Sequence, residues 1–128
     1  MQDRPTATEL LEAIERFLRN QSAAQQDRWL RFQLLVCANS LGIVRRELEQ
    51  EERNVRGEWT GMDALVGVAE MPGKLAEMVS VLRDRNGELC DRIRAGDFDD
   101  PSRERALLAF FASEVPARVR ITAPGELE

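Results

Sequence analysis

The segment from Asp27 to Glu52 constrains the fold most, because its apolar residues recur at helical spacing over an unusually wide arc. One predicted stripe comprises Trp29, Phe32, Val36 and Ile43, and a neighbouring stripe comprises Leu34, Leu41 and Leu48. A helix that is apolar over so wide an arc is expected to lie centrally, with neighbours on two sides. The glycine inside it, Gly42, is expected at a close approach of another helix, since glycine otherwise costs about 1 kcal/mol there.

A capping signal predicts a first helix before this segment. Thr6 and Glu9 have the spacing of a capping box, in which each side chain satisfies a free amide at the helix start. The apolar stripe that follows supports a helix from about Ala7 to Asn20, and its members are Leu10, Leu11, Ile14, Phe17 and Leu18. The polar stretch 20–26 is predicted to be a connection, and residues 1–5 form a polar arm that the helix does not need.

Three further helices are predicted in the second half of the chain. A short third helix around 62–69 is bracketed by Gly57, Gly61 and the pair Pro72-Gly73. A fourth helix is predicted from about Lys74 to Ala95, with Gly96 as its C-terminal cap. A fifth helix is predicted to start at Pro101, with Asp100 as its N-cap. Pro116 is expected to kink or break it.

These patterns predict an all-α fold, a compact bundle of about five helices with a long central second helix. No segment shows a convincing strand pattern. The 128 residues are expected to form one domain, 1–128, in which residues 122–128 fray. The two cysteines, Cys37 and Cys90, stand in apolar helical stretches and are expected to be core thiols.

Charge and hydropathy disfavour several classes of partner. The chain carries 18 basic and 23 acidic residues, a net charge of −5, whereas phosphate backbones require a basic face. We therefore expect no nucleic-acid partner. The apolar runs are far too short to span a bilayer, so no membrane partner is expected. The N-terminus lacks the basic and then apolar pattern of a signal peptide, which predicts a cytoplasmic protein.

The residue inventory predicts no catalytic, cofactor-binding or metal-binding residues. Histidine, the commonest general base and metal ligand, is absent. The segment from Gly67 to Leu75 departs from a phosphate loop in its glycine spacing and in the residue after Lys74. The acidic run 97–100 lacks the glycine and the distal glutamate of a calcium loop.

The arginines leave two alternatives open. Three close pairs are Arg45 with Arg46, Arg92 with Arg94, and Arg118 with Arg120. They are either distributed over a solvated, salt-bridged surface or gathered by the fold into a site for an anion. The second alternative predicts a binder of CoA esters or similar anions.

Three blocks of sequence resemble a bacterial family of short helical proteins of unknown function. The specific block is Gln2-Asp-Arg-Pro-Thr-Ala-Thr-Glu-Leu-Leu11, which is similar to the opening signature of that family. The other blocks are Val36 to Leu48 and Leu89 to Gly96, which have fewer distinctive letters. The segment with Pro116 and residues 121–125 departs from the family pattern.

The resemblance implies a helper protein. Members of that family are encoded beside kinases resembling aminoglycoside phosphotransferases and beside acyl-CoA dehydrogenases. Some members act as the small companion of a kinase for hydroxyacyl-CoA. The first hypothesis is therefore a non-catalytic accessory or stabilising subunit of such a phosphotransferase, with the arm residues Gln2, Asp3, Arg4 and Pro5 in contact with the partner. The alternative is a self-associating helical protein, a homo-oligomer without a kinase partner.

Overall fold

The computed structural model describes residues 3–128, which form four α-helices and a short 3₁₀ helix. Their bounds are α1 Ala7–Ala24, α2 Arg28–Val66, α3 Leu75–Arg94, α4 Pro101–Thr122 and the 3₁₀ helix Pro124–Leu127. Residues 3–128 contain no strand. The all-α class and the long second helix are confirmed, whereas the expected number of about five helices is wrong by one.

The predicted short third helix is part of α2. Helix α2 continues through Gly57 and Gly61, the two glycines that were expected to precede a separate helix. Trp59, Met62 and Leu65 follow one another at helical spacing on α2 and are all buried. Packing of such large side chains contributes roughly 1.5–3 kcal/mol each. That gain exceeds the cost of about 1 kcal/mol for a glycine in a helix interior. Gly57 and Gly61 therefore lie inside a 39-residue helix.

Two other helix ends also differ from the prediction. Helix α1 runs beyond Asn20 to Ala24, because Ser22 is buried and its hydroxyl donates to the carbonyl of Arg31 over 3.3 Å. Helix α4 is not broken at Pro116 and continues to Thr122. The missing N–H of a proline removes one helical hydrogen bond but does not prevent the next turn from forming when its side chains are held. Arg118, in that turn, binds the carboxylate of Glu58 over 3.2 Å.

The expected helix caps are confirmed. Thr6 and Glu9 form the reciprocal capping box at the start of α1. The carboxylate of Asp100 accepts the amides of residues 102 and 103, with Pro101 in the first turn of α4. Gly96, just after α3, has a φ of +84°, a conformation that residues with a side chain rarely adopt.

The chain divides into two compact units, residues 1–50 and 51–128. In the first unit, α1 and the first part of α2 form an antiparallel helical pair joined by residues 25–27. Contacts between Ser22 and Arg31, between Arg19 and Asn39 and between Glu15 and Arg45 establish the antiparallel direction.

A buried carboxylate, Glu15, lies in the contact between α1 and α2. Its oxygens accept from Arg19 over 3.1 Å and from Arg45 over 3.3 Å. Gly42 on α2 leaves room for this carboxylate, because a Cβ there would come within 3.0 Å of its Oε1 atom. The close helix approach expected at Gly42 is therefore confirmed.

The charge of Glu15 is favoured over its neutral form. Burial by itself raises the pKa of this carboxyl, but hydrogen bonds from Arg19 and Arg45 and their positive charges outweigh it. The pKa of Glu15 is therefore lowered from its ordinary value of 4.5. The ion pairs of Glu15 therefore stabilise the fold at pH values above 4.5, and this stability is lost as the pH falls through the lowered pKa.

The second unit, residues 51–128, has a conventional apolar core. The buried members of its cluster are Trp59, Met62, Leu65, Met78, Leu82, Leu89, Phe98, Leu107 and Phe110. Arg85 stacks over Trp59, with its guanidinium carbon 4.8 Å from the ring centroid. Its Nη2 atom donates to Asp63 and to the carbonyl of Gly67, both over 2.7 Å. This arginine thereby ties the end of α2 to α3.

Replacing Gly61 by alanine should destabilise the second unit. The new Cβ would lie 2.6 Å from the ring of Phe110, which is itself buried and must move. We expect a loss of about 1–3 kcal/mol in the free energy of unfolding, measured by urea denaturation. The matched control is Gly57→Ala in the same helix, where nothing lies within 4 Å of the added atom. That variant should be stabilised by up to about 1 kcal/mol. Equal effects of the two changes would contradict the packing described.

Replacing Glu15 by glutamine should lower stability at neutral pH by about 1–3 kcal/mol, because charged hydrogen bonds to two arginines become neutral ones. The difference from the unchanged chain should shrink as pH falls below 4.5, because the carboxyl of the unfolded chain takes up a proton there, whereas the folded chain takes it up only at the lowered pKa. Urea unfolding of both chains at a series of pH values measures this difference in the free energy of unfolding. Glu12→Gln is the control, because the Glu12–Arg16 ion pair is exposed and should contribute little.

Candidate functional site

The first unit buries almost none of its large apolar side chains. Its buried residues within 3–50 are Glu15, Ser22, Ala38 and Gly42, which are polar or small. Ten large apolar side chains are between 37% and 65% exposed, namely Leu10, Ile14, Phe17, Trp29, Leu30, Phe32, Leu35, Val36, Val44 and Leu48. Exposed apolar side chains in this number are typical of interaction sites.

One part of this surface is the outer stripe of α2, formed by Trp29, Phe32 and Val36. The rings of Trp29 and Phe32 stack with centroids 5.9 Å apart and planes inclined by 27°. The carboxylate of Asp27 accepts the Trp29 amide over 2.8 Å and so fixes the helix start beneath these rings. Stacked and preorganised aromatic side chains are typical anchors of protein interfaces.

The outer stripe corrects one expectation about α2. Its apolar arc predicted neighbours on two sides, but within the first unit α1 packs against Ala38 and Gly42, and Trp29 stays 65% exposed. The physical reason is that an antiparallel pair of helices covers only one side of each member. The residues of the expected second contact face outward from the pair.

The predicted contact residues of the arm lie at the start of α1. Asp3, Arg4 and Pro5 are exposed. The Arg4 guanidinium lies 3.8 Å from the carboxylate of Glu9, an exposed pair. Gln2 lies outside the described residues. The contact between this arm and a partner stays a prediction.

A cleft in the second unit brings together polar residues that are distant in sequence. It has a volume of about 390 Å³ and is lined by Val55, Glu58, Val79, Leu82, Arg83, Asn86 and Arg118. The carboxylate of Glu58 accepts from the Asn86 amide over 2.7 Å and from Arg118 over 3.2 Å. Phe110, Phe111 and Glu114 line an adjoining cavity of about 290 Å³.

Glu114 is the perturbed acid of this region. Partial burial raises the pKa of its carboxyl, the negative charge of Glu58 raises it further, and Arg118 opposes both. The linings of the two adjoining cavities carry two arginines, Arg83 and Arg118, and two carboxyl groups, Glu58 and Glu114, so their formal charges leave no surplus of positive charge for an anion.

Four of the six arginines singled out in the sequence bind carboxylates of this chain. Arg45 pairs with Glu15 and Glu49, Arg92 with Glu88, and Arg94 with Asp91. Arg118 pairs with Glu58. Of the two alternatives left open, this arrangement favours the salt-bridged surface over a gathered anion site.

The two cysteines do not occupy the core. Cys37 and Cys90 are both exposed, which corrects the expectation of core thiols. Each stands one position away from a buried residue, Ala38 or Leu89, and successive helical residues point about 100° apart. Among residues 3–128 there is no group of three or more cysteine, aspartate or glutamate side chains arranged to hold a metal ion. In the same range, no helix is long and apolar enough to cross a lipid bilayer.

Sequence reasoning missed the roles of Glu15, Glu58 and Glu114. A signal existed for Glu15, which stands between Leu11 and Leu18 at helical spacing and so interrupts an otherwise apolar stripe. No comparable signal existed for Glu58, because its partners Asn86 and Arg118 are 28 and 60 residues away. Such separations are decided by how the helices pack.

Comparisons with known proteins show the family. No curated protein matches the chain, and no solved structure matches it. Residues 24–125 match the family described as a domain of unknown function, DUF6285. This match covers the greater part of both helical units, from the end of α1 to the 3₁₀ helix. The chain therefore belongs to the DUF6285 family.

Proposed function

We propose that this protein is a non-catalytic accessory subunit that binds and stabilises a phosphotransferase acting on small hydroxyacyl-CoA substrates. The observation that carries the binding role is the outer stripe, in which the rings of Trp29 and Phe32 are stacked and the two side chains are 65% and 57% exposed. Aromatic side chains of this kind carry a large share of the affinity where they enter a pocket of a partner.

The charges around the outer stripe fit a protein partner. The stripe itself is uncharged, and the charged residue Arg28 flanks it. An apolar centre with a polar rim is the usual arrangement of a protein interface. Burial of the three side chains would contribute roughly 1.5–3 kcal/mol each, enough to matter in a complex of moderate affinity.

The kind of partner comes from the resemblance of the Gln2–Leu11 block to proteins encoded beside aminoglycoside-phosphotransferase-like kinases. Phosphoryl transfer needs a positioned aspartate, magnesium ligands and a cation on the phosphate. In this proposal the kinase supplies these groups. The accessory subunit contributes a surface that covers apolar residues of the kinase and holds its active conformation.

Charge placed on the outer stripe should abolish the complex. We expect Trp29→Glu and Phe32→Glu each to lower affinity for the kinase by about a hundredfold or more, because a carboxylate would be buried without a partner. The measurement is co-purification with the aminoglycoside-phosphotransferase-like protein encoded nearest to its gene, followed by calorimetric titration. Kinase activity towards a hydroxyacyl-CoA should fall in parallel.

The control is Val68→Glu, which places the same charge on an 88% exposed valine of the second unit. It should leave binding unchanged. Deletion of residues 2–5 tests the arm separately and should weaken binding without altering the helix content of the chain. A kinase that is stable and fully active without this protein, and that binds neither form of it, would refute the proposal.

A further inference from the structure

A second apolar surface of the first unit lies on the other side of the helical pair from the polar edge marked by Arg19 and Asn39. The Arg19 guanidinium donates to the Asn39 side chain over 2.9 Å. Arg19 comes after the buried Glu15 along α1, and Asn39 comes directly after the buried Ala38 along α2, so the rotation of each helix turns both residues to the same edge of the pair. Ile14 directly precedes Glu15, and Cys37 directly precedes Ala38, so these two residues lie on the opposite edge of the pair. We call that edge the hairpin face.

The hairpin face carries a regular seam of apolar residues from both helices. On α2 they recur at alternating intervals of four and three residues, as Leu30, Leu34, Cys37, Leu41, Val44 and Leu48. On α1 the corresponding residues are Leu10, Ile14 and Phe17, with Leu11 and Leu18 beside them. No charged residue belongs to either series, although 32% of the whole chain is charged. Glu15, which stands between Leu11 and Leu18, is turned towards Arg45 in the contact between α1 and α2. Alternating intervals of four and three are the signature of helices that pack side by side along a left-handed seam.

We propose that the hairpin face binds the hairpin face of a second copy of this chain, so that two helical pairs form a four-helix bundle. A two-fold contact sets the same stripes against each other and needs no complementary charge. The uncharged seam meets that requirement, and two copies can approach there without repulsion between like charges.

The size of the face agrees with a stable dimer. Its outermost side chains, such as Phe17 at 60% and Leu48 at 53%, still expose about half of their surface. With their half-buried neighbours they offer on the order of 800 Å² per copy, the area that one partner contributes to a standard stable interface.

The composition of the first unit argues for a partner that is always present. Since the buried residues of this unit are Glu15, Ser22, Ala38 and Gly42, its own core supplies little apolar burial. A unit with so little apolar burial of its own needs a partner against its exposed apolar side chains whenever it is folded. A second copy exists wherever the chain is made, whereas another protein is present only when it is expressed too. The dimer and the proposed kinase complex use different surfaces, so the two proposals can fail separately.

Sedimentation velocity on the full chain without any partner tests the dimer. We expect a species of twice the 14.5 kDa chain mass over a wide range of concentrations. Val44→Glu should raise the dissociation constant by about a hundredfold or more, because two-fold symmetry buries two unpaired carboxylates. Val68→Glu is the matched control, and Trp29→Glu on the outer stripe should also leave the dimer mass unchanged.

If the Val44→Glu variant does not fold, alkylation of the cysteines in the unaltered chain still tests the dimer. In the unaltered chain, Cys37 lies on the hairpin face and Cys90 lies in the second unit. Alkylation should be several-fold slower at Cys37 than at Cys90, and the difference should disappear on dilution below the dissociation constant. A monomer at all concentrations, equal alkylation of both cysteines, or an oligomer whose mass Val44→Glu leaves intact would overturn the proposal.

Discussion

The first unit depends on the ion-paired contact between Glu15, Arg19 and Arg45. A carboxylate at the centre of a two-helix contact excludes large apolar side chains from that position, and Gly42 faces it across the gap. The apolar residues of α1 and α2 are consequently displaced to the outside of the pair. A buried ion pair is weak evidence for net stability, because desolvation offsets much of the attraction, but it fixes the register of the helices that it joins. The outward position of the apolar stripes follows from that register.

The second unit, unlike the first, buries large apolar side chains. Its core gathers Trp59, Met78, Phe98 and Phe110. Around this core, Arg85 donates to Asp63 and Asn86 donates to Glu58. The same helix α2 serves both units, with small residues turned inward in its first part and large ones in its second. Residues 51–128 contain an apolar core, whereas residues 3–50 leave most of their large apolar side chains exposed.

Two distinct apolar surfaces on one small unit allow an assembly of more than two chains. The outer stripe presents rigid aromatic rings, which suit a pocket in a different protein. The hairpin face presents an even aliphatic seam, which suits an equivalent seam. If both are used, one dimer displays two copies of the outer stripe and can hold two partner molecules. Symmetry alone determines that stoichiometry.

The sequence by itself determined the helical class, the capping box at Thr6 and Glu9, the C-terminal cap at Gly96 and the close approach at Gly42. These features depend on interactions within one turn or on the fixed period of a helix. Tertiary structure decided that Gly57 and Gly61 lie inside α2, because packing of Trp59 and Met62 outweighs the weak local preference of glycine. It also decided which face of α2 is covered. Helical periodicity indicates that two sides of α2 are apolar but not which side meets α1. That choice depends on Glu15 and on Arg45, which binds it across the helical pair.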